Sequence, residues 1–475
     1  MPGKLLLMTI WVGIIAAIVG LAQTVDSSVT GTADEIHWTF TGTNSASFHW
    51  RGTATEVRYG LTTAYGAIAH AQPPTPMPFS SSGPFWEAEL TGLQPGALYH
   101  YSIGSVPDRT FRMPPEPGSA QFTIDAEGDI GGSNSFACVS GVQRLVADDL
   151  PDFVLVLGDL TYGNETGQAS VDQHFNDVMV WSQNTAYMPA WGNHEWDIAA
   201  KDDLRNYKGR FELPHQQMST GSPSQGCCGK DWYWFDYGNV RFIAYPEPYN
   251  SETFSDWYRK AKDLMDQAEH DPNLNFIVTF GHRPAYSSGY HPGDLVLRQY
   301  LERLARHPKY VLNLNGHSHN YERSLAQHGL VHVTAGTGGS ELEENPTSCL
   351  FRMCPKPSWS AYRAMHFGVL KLHFIRNEIR GEFVCGPAGG GKNDVQCTPG
   401  SVIDRFTVPA RHGNSRYSTT YQSSRKGLAL DLVSQGNQHE NQILYFWPSV
   451  EPAAEGVLIS DQDSAFRAAA SRKNP

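Results

Sequence analysis

Polar and apolar positions alternate in short runs over residues 25–113, as in Ser47-Phe48-His49-Trp50, Glu56-Val57-Arg58-Tyr59 and residues 85–90. A period of two predicts strands buried on one face. In Leu93-Gln94-Pro95-Gly96-Ala97-Leu98-Tyr99-His100-Tyr101, a tyrosine follows a turn at the head of a late strand, the sequence form of a tyrosine corner. Together these predict a β-sandwich of about ninety residues. The proline-rich stretch 72–84 reads as a long surface loop within it, because its prolines lack the regular spacing of a polyproline docking motif. Met113-Pro114-Pro115-Glu116-Pro117-Gly118 is stiff and extended, since successive prolines exclude helix, and it marks a boundary.

From residue 119 the pattern changes. Strands are expected at 122–124, 153–157, 276–280 and 310–314, with helices at 136–150, 253–269 and 295–305. Residues 153–157 are apolar throughout, as suits a strand buried on both faces. Segments 331–334, 368–374 and 379–384 read as antiparallel strands and a hairpin. A βαβ half followed by a strand-rich half predicts sheets sandwiched between helices over residues 119–409. The remainder, 410–475, is polar and weakly periodic. Residues 428–432 and 442–447 hold a faint pattern of one β-trefoil repeat, which cannot bury a trefoil core by itself, so the segment reads as an extension of unassigned role.

Lys4 precedes an apolar run over residues 5–22, with Gly20-Leu21-Ala22 as a small-residue cleavage signature before Gln23. Residues 1–22 are therefore expected to be a cleaved export signal, with an uncleaved membrane anchor as the alternative. Either places the rest of the chain outside the cytoplasm. The composition, 40% apolar and 12% aromatic, excludes disorder as the main state. Lys plus Arg total 36 against 48 Asp plus Glu, a formal charge of −12 with no basic block, so nucleic-acid binding is not expected. Seven cysteines fit an exported chain. Cys349 with Cys354, and Cys385 with Cys397 around the glycine-rich stretch 386–391, look like local disulfides. The adjacent Cys227 and Cys228 are expected to bond elsewhere, Cys138 being a candidate partner, and the odd count leaves at least one thiol over.

Five clusters fall where predicted strands end, the usual place for ligand-binding groups in an open α/β sheet. They are Gly128-Asp129-Ile130-Gly131, Gly158-Asp159-Leu160-Thr161-Tyr162, Gly192-Asn193-His194-Glu195, Phe280-Gly281-His282-Arg283-Pro284 and Gly316-His317-Ser318-His319-Asn320-Tyr321-Glu322-Arg323. Singly, a Gly-Asp is most often a turn and a Gly-His a hydrogen-bonded histidine. In series they supply carboxylate, phenolate, amide and imidazole donors, a mix of hard oxygen and nitrogen that suits first-row metals such as iron, zinc or manganese. Seven donors exceed the needs of one tetrahedral ion, so two ions are implied, an arrangement that can hold a phosphate ester for in-line attack. His317 and His319, two residues apart on an extended segment, would point the same way.

With these motifs in hand, the chain resembles a purple acid phosphatase of the metallophosphoesterase superfamily over roughly residues 30–405, the His-Tyr-Glu-Arg ending of the last cluster being the most specific part. The resemblance implies a multidomain β plus α/β protein: a fibronectin type III-like sandwich (25–113) and a four-layer αββα metallophosphoesterase domain (119–409). It implies that Asp129, Tyr162 and His319 bind Fe(III), that Asn193, His282 and His317 bind a divalent ion (Zn, Fe or Mn), and that Asp159 bridges them. The implied activity is hydrolysis of small-molecule phosphomonoesters by attack of a metal-bound hydroxide, with an acid optimum. His194 is the first candidate for contacting phosphate or protonating the leaving alcohol, and His291 the second. Glu322 and Arg323 are expected to orient the histidine segment from behind.

Two features depart from the pattern. Thr279 stands where the family commonly has valine, which adds a hydroxyl to a buried strand. Asn164-Glu165-Thr166 is a glycosylation sequon two residues past Tyr162, expected to be unused. A phosphodiesterase or a nucleotide-polyphosphate hydrolase would use the same ligands, with substrate choice in the loops 197–230, 284–294 and 340–364. A surface-binding protein with a retired site is a further alternative. A serine hydrolase is disfavoured, because no Gly-x-Ser-x-Gly elbow accompanies a triad. A stable membrane partner is expected only if the N-terminal segment stays uncleaved, and the sequence leaves the oligomeric state open.

Overall fold

The alternating N-terminal segments form seven strands: β1 (Asp34–Gly42), β2 (Ser45–Arg51), β3 (Glu56–Gly60), β4 (Ala67–His70), β5 (Phe85–Thr91), β6 (Leu98–Ile103) and β7 (Arg109–Arg112). They pair antiparallel as two sheets, ordered β1-β2-β5 and β4-β3-β6-β7. The inward positions of both sheets meet, Phe48 lying 4.7 Å from Tyr101 and 5.1 Å from Phe111 between ring centroids. Tyr99 accepts the Gln94 backbone N–H at 2.9 Å, closing the expected tyrosine corner. This computed structural model describes residues 31–196, 204–223, 229–345, 349–388 and 396–411. The export-signal segment, Cys227 and Cys228, and the extension from residue 412 lie outside them.

The second half begins with β8 (Phe122–Glu127), α1 (Val139–Asp149), β9 (Phe153–Leu157), α2 (Gly163–Thr166), α3 (Gln168–Ser182), β10 (Ala186–Ala190) and α4 (Arg205–Lys208). There follow β11 (Trp234–Tyr237), β12 (Val240–Ala244), α5 (Thr253–His270), β13 (Phe276–Phe280), α6 (Leu295–Leu304), β14 (Tyr310–Asn315), β15 (Tyr321–Ser324) and β16 (Val331–Ala335). The last strands are β17 (Ser360–Ala364), β18 (Gly368–Ile375), β19 (Glu378–Cys385) and β20 (Val402–Pro409). A six-stranded sheet runs β10-β9-β8-β18-β19-β20 and a seven-stranded sheet β11-β12-β13-β14-β16-β15-β17. Their inner faces touch through Phe153, whose ring is 5.4 Å from Phe242 and 5.7 Å from Phe235. Helix α3 packs on β10 through His174 and Tyr187, and α5 on β12 through Trp257, whose indole N–H donates to Ala244 O at 2.8 Å. In α5 the buried residues Phe254, Trp257, Ala261, Leu264, Met265 and Ala268 recur at three- and four-residue spacing, which is why this segment is a helix with one wet face. The Asp294 side chain caps α6 by accepting the Leu297 N–H at 2.9 Å.

Four expectations need correction. Residues 331–335 are not purely antiparallel, since β16 pairs parallel with β14 and antiparallel with β15. Helix α1 starts at Val139 instead of 136, leaving Phe136 to pack edge-on to Tyr162 at 5.4 Å. Cys138 is a free thiol and does not pair with the 227–228 cysteines, while Cys349–Cys354 and Cys385–Cys397 are bonded as expected. The proline-rich stretch is not a free surface loop. Pro74, Pro76 and Pro78 are buried, the Phe79 N–H donates to Asn206 Oδ1 at 2.8 Å, and the Arg205 guanidinium lies 4.6 Å over the Phe79 ring.

That strap belongs to a charged seam joining the two halves. Arg210 pairs with Glu35 and, at 3.0 Å, with Asp172; Arg51 reaches Asp172 at 2.6 Å and Glu35 at 3.0 Å. The Arg210 guanidinium also lies 4.5 Å from the centroids of Phe85 and Phe175. Buried charges survive there because each has a partner of opposite sign.

Candidate metal centre

Each of the five clusters lies at the carboxyl end of a strand: Gly128 follows β8, Gly158 follows β9, Trp191-Gly192 follows β10, Gly281 follows β13 and Gly316 follows β14. Within each sheet these strands run parallel, so their ends open on one edge. Close approach makes two glycines obligatory. A Cβ on Gly192 would sit 2.0 Å from Asp159 Oδ1, and one on Gly158 2.6 Å from His282 Nδ1.

Asp129, Asp159, Tyr162 and His317 all occupy the left-handed region, with φ of 59°, 49°, 55° and 68°. That conformation is costly for side chains of this kind and persists where neighbours impose it. The Asp129 and Ile130 N–H groups donate to Gly158 O and Asp159 O, both at 3.0 Å, and the His317 N–H donates to Asp129 Oδ2 at 2.8 Å. The His317-Ser318-His319 segment is consequently a series of tight bends, not the extended run expected from its spacing, and its two rings join different groups of donors.

One group consists of Asp129 Oδ1, Tyr162 Oη and His319 Nε2. Tyr162 Oη is 3.2 Å from Asp129 Oδ1 and 2.9 Å from His319 Nε2, and the last two are 3.2 Å apart. The other is built around His282 Nε2, with Asp159 Oδ2 at 3.0 Å and both Asn193 Oδ1 and His317 Nδ1 at 3.1 Å. All seven expected ligands are thus brought together. Burial opposes charge on His282, but Asp159 outweighs it and pushes the imidazole up to about 10, while the same pairing draws the Asp159 carboxyl down. Burial likewise opposes charge on His319, and Glu343 and Asp129 push it up to about 10. Burial, then Asp129 and Asp159, hold the Tyr162 phenol well above its usual range. Carboxylate, phenolate, amide and imidazole donors converge here at 2.9–3.2 Å, a set that fits a pair of cations.

Residues 122–321 match the family model of calcineurin-like phosphoesterases, and residues 329–391 that of the iron/zinc purple acid phosphatase-like protein C. The chain is 28% identical over 342 residues to a nucleotide pyrophosphatase/phosphodiesterase of Hordeum vulgare, covering 63% of this chain and 86% of that one. It is 26% identical over 327 residues to acid phosphatase type 7 of Mus musculus, covering 60% and 70%. It is also 26% identical over 373 residues to the probable inactive purple acid phosphatase 27 of Arabidopsis thaliana, covering 68% and 57%. The fold matches purple acid phosphatase PPD1 from yellow lupin (Lupinus luteus) seeds with a TM-score of 0.64 at 20% identity, covering 83% of this chain and 78% of that one. The chain belongs to the purple acid phosphatases of the calcineurin-like phosphoesterase superfamily.

In this phosphoesterase the two candidate catalytic histidines flank the donor groups. His194 lies 4.4 Å from the Tyr162 ring, with its Nδ1 2.8 Å from Asn164 Oδ1 and its Nε2 3.8 Å from Asp159 Oδ2. The His291 ring stacks on His317 at 4.3 Å, and its Nε2 is 3.0 Å from Glu343. Glu322 accepts from the Ser288 N–H at 2.7 Å and the Ser288 hydroxyl at 2.6 Å, so it anchors the loop carrying His291 more than the His317-His319 segment. Arg323 instead pairs with Asp404 of β20 at 2.7 Å. The Thr279 hydroxyl is satisfied, donating to Asn313 Oδ1 at 2.7 Å and lying 2.6 Å from Tyr310 Oη.

Sequence reasoning missed the role of Glu195. Its two oxygens accept the N–H groups of Asp159 at 2.9 Å, Leu160 at 2.8 Å and Gly192 at 2.6 Å, clamping the turn that presents Asp159 to the turn that presents Asn193. Burial and the Asp159 carboxylate push the Glu195 carboxyl upward, against the pull of those donors. Its place as the last residue of Gly192-Asn193-His194-Glu195 was the available signal. Glu343 had none, because it reaches the site from a loop far along the chain.

Proposed function

We propose that this protein is an exported acid phosphatase that hydrolyses phosphomonoesters at a binuclear metal centre. The observation carrying this reading is the pair of adjoining donor groups, one rich in hard oxygen and one rich in imidazole. Asp129, Tyr162 and His319 would hold Fe(III); Asn193, His282 and His317 would hold a divalent ion (Zn, Fe or Mn); Asp159 would bridge them. When bound, the two ions supply positive charge to the phosphoryl oxygens and acidify a water for in-line attack.

The chain's own residues position and protonate. His194 donates its Nδ1–H to Asn164 Oδ1, which turns Nε2 toward the site, where it can hand a proton to the departing alkoxide. His291, steadied by Glu343 and by stacking on His317, is a second contact for the substrate phosphate. A glycan on Asn164 would stand at this mouth, so the sequon is read as unused. Export is supported by the two disulfides, which need an oxidising compartment. Among the described residues no helix is long and apolar enough to cross a membrane. The strand order of the N-terminal sheets and the Tyr99 corner support a fibronectin type III-like domain (25–113) that braces the catalytic domain (119–409).

The test is phosphate release from an aryl phosphomonoester between roughly pH 4 and 8, with Asp159→Ala as control. Turnover that peaks below neutrality and is lost in the control supports the reading. No turnover in metal-replete protein shifts it to a diesterase or to a retired site.

A further inference from the structure

A second set of ligating side chains gathers where β18, β19 and β20 meet. His366 stands two residues before β18, Cys385 is the last residue of β19, and Cys397 lies five residues before β20. One ligand atom from each, an imidazole nitrogen and the two sulfurs, falls within 4.8 Å of the others. His366 and Cys385 are buried and Cys397 is half-buried. None of the three belongs to the seven donors described above.

The ring is turned toward the sulfurs. His366 Nδ1 lies 2.8 Å from the Phe367 carbonyl oxygen, which only accepts, so the neutral ring carries its hydrogen on Nδ1. Nε2 then presents a lone pair to Cys397 Sγ, 3.6 Å away. A backbone carbonyl on the far nitrogen is the usual support of a metal-binding histidine. The spacing fits as well: with Zn–S of about 2.3 Å and Zn–N of about 2.05 Å, a tetrahedral ion sets nitrogen and sulfur about 3.6 Å apart.

In the oxidised chain the two sulfurs are bonded to each other, which leaves no thiolate for a cation. The backbone that carries them is held independently of that bond. The Cys385 N–H donates to Ser401 O and the Gly400 N–H to Cys385 O, both at 2.8 Å. The Gly386 N–H donates to Phe367 O at 2.8 Å, and the Ser401 N–H to Thr398 O at 2.9 Å. Breaking the S–S bond therefore leaves the three side chains gathered, with the sulfurs free to part to the ~3.8 Å that a shared tetrahedral ion requires.

We propose that His366, Cys385 and Cys397 form a redox-gated site for a soft divalent cation of the zinc class. A dithiol reductant opens it by thiol–disulfide exchange: its two sulfurs join, the Cys385–Cys397 bond breaks, and two electrons and two protons pass to the cysteines. The cation then binds both thiolates and His366 Nε2, releasing those two protons, and water fills the fourth position. Thiolate and imidazole favour zinc over the hard cations that oxygen donors hold. Disulfide and metal thus serve as alternative ties between the end of β19 and the approach to β20, one for oxidising and one for reducing surroundings.

The test uses the full chain, reduced anaerobically with a dithiol, freed of it by gel filtration and titrated with Co2+. One equivalent of Co2+ is expected to bind with a thiolate-to-cobalt charge-transfer band, to be displaced by Zn2+, and to be missing from the oxidised protein. None of the seven donors of the binuclear centre is sulfur, so that centre cannot produce the band. The paired substitution Cys385→Ser and Cys397→Ser should remove this equivalent, whereas Cys349→Ser with Cys354→Ser should leave it. His366→Ala, which keeps both thiols, should weaken Co2+ binding by at least about 10-fold. No thiolate-bound Co2+ in the reduced wild type, or binding unaltered in the Cys385 and Cys397 serine pair or in His366→Ala, overturns the proposal. A second readout needs no variant: Zn2+ should protect Cys385 and Cys397 of the reduced chain from alkylation by iodoacetamide, read by peptide mass. Equal labelling with and without Zn2+ overturns the proposal as well.

Discussion

Replacing Glu195 with alanine removes the acceptor on which three buried backbone N–H groups depend, those of Asp159, Leu160 and Gly192. Each unsatisfied buried donor costs about 1–3 kcal/mol, so the simple sum is about 3–9 kcal/mol. Partial relaxation and entering water bring the expected loss to about 3–6 kcal/mol. The turn at Asp159 is held at a φ of 49°, so releasing the clamp also lets a candidate bridging ligand relax out of place. Metal affinity should fall about 10–100-fold, as for other residues that orient ligands. Glu195→Gln is the graded control. An amide oxygen at the Oε2 position keeps the bonds to Asp159 and Gly192 and turns an NH2 against the Leu160 N–H, so its loss should be about 2 kcal/mol smaller than for alanine. Urea unfolding of metal-free protein reads the stability, and competition with a chelator reads the affinity. An alanine variant within about 1 kcal/mol of wild type and with undiminished metal affinity would refute the clamp.

Acid pH should weaken the fold through His332, which is buried, lacks a partner at Nε2 and is lowered to about 3 by burial and by Arg298 and His328 nearby. Its folded-state pKa lies below the unfolded value, so stability is complete above about pH 6.5 and falls by about 1.4 kcal/mol per unit as pH drops toward 3. Unfolding free energies at pH 7 and 5 should show this slope, reduced by about that amount in His332→Gln; an identical slope in the variant rules His332 out as its source. Arg210→Ala removes one cation from the seam that holds Glu35 and Asp172, and should cost about 3–5 kcal/mol. It should also expose residues 113–118 to limited proteolysis, whereas an unchanged melting temperature would mean that Arg51 alone neutralises both acids.

Much of the second half was legible because local physics and tertiary structure agree there. The strands at 153–157 and 276–280 occur with the expected bounds, since each is a short apolar run between a proline-containing turn and a glycine. The helices at 253–270 and 295–304 were readable from their apolar stripes. Helix α3 and the hairpin of β11 and β12 were not read, because buried polar side chains interrupt the period of the helix and aromatics crowd both faces of the hairpin. His174 is an example: its polar atoms are spent on Gly131 O and Tyr187 Oη, so a position that reads as surface is core.

The candidate ligands could be chosen from sequence, because a series of glycine-flanked donors, each behind an apolar strand, already restricts the chemistry to cations held by oxygen and imidazole. Which donors share a group was decided only by the fold. His317 and His319 are two residues apart, yet a left-handed turn at His317 sends one ring to His282 and the other to Tyr162. Glu343 and Asp404 were hidden for a related reason: they act through contacts with segments distant along the chain, and no local period or propensity records such a pairing. Sequence determined which atoms could coordinate, because that depends on side-chain chemistry alone. Tertiary structure decided their grouping and strain, because those depend on strand ends meeting in space.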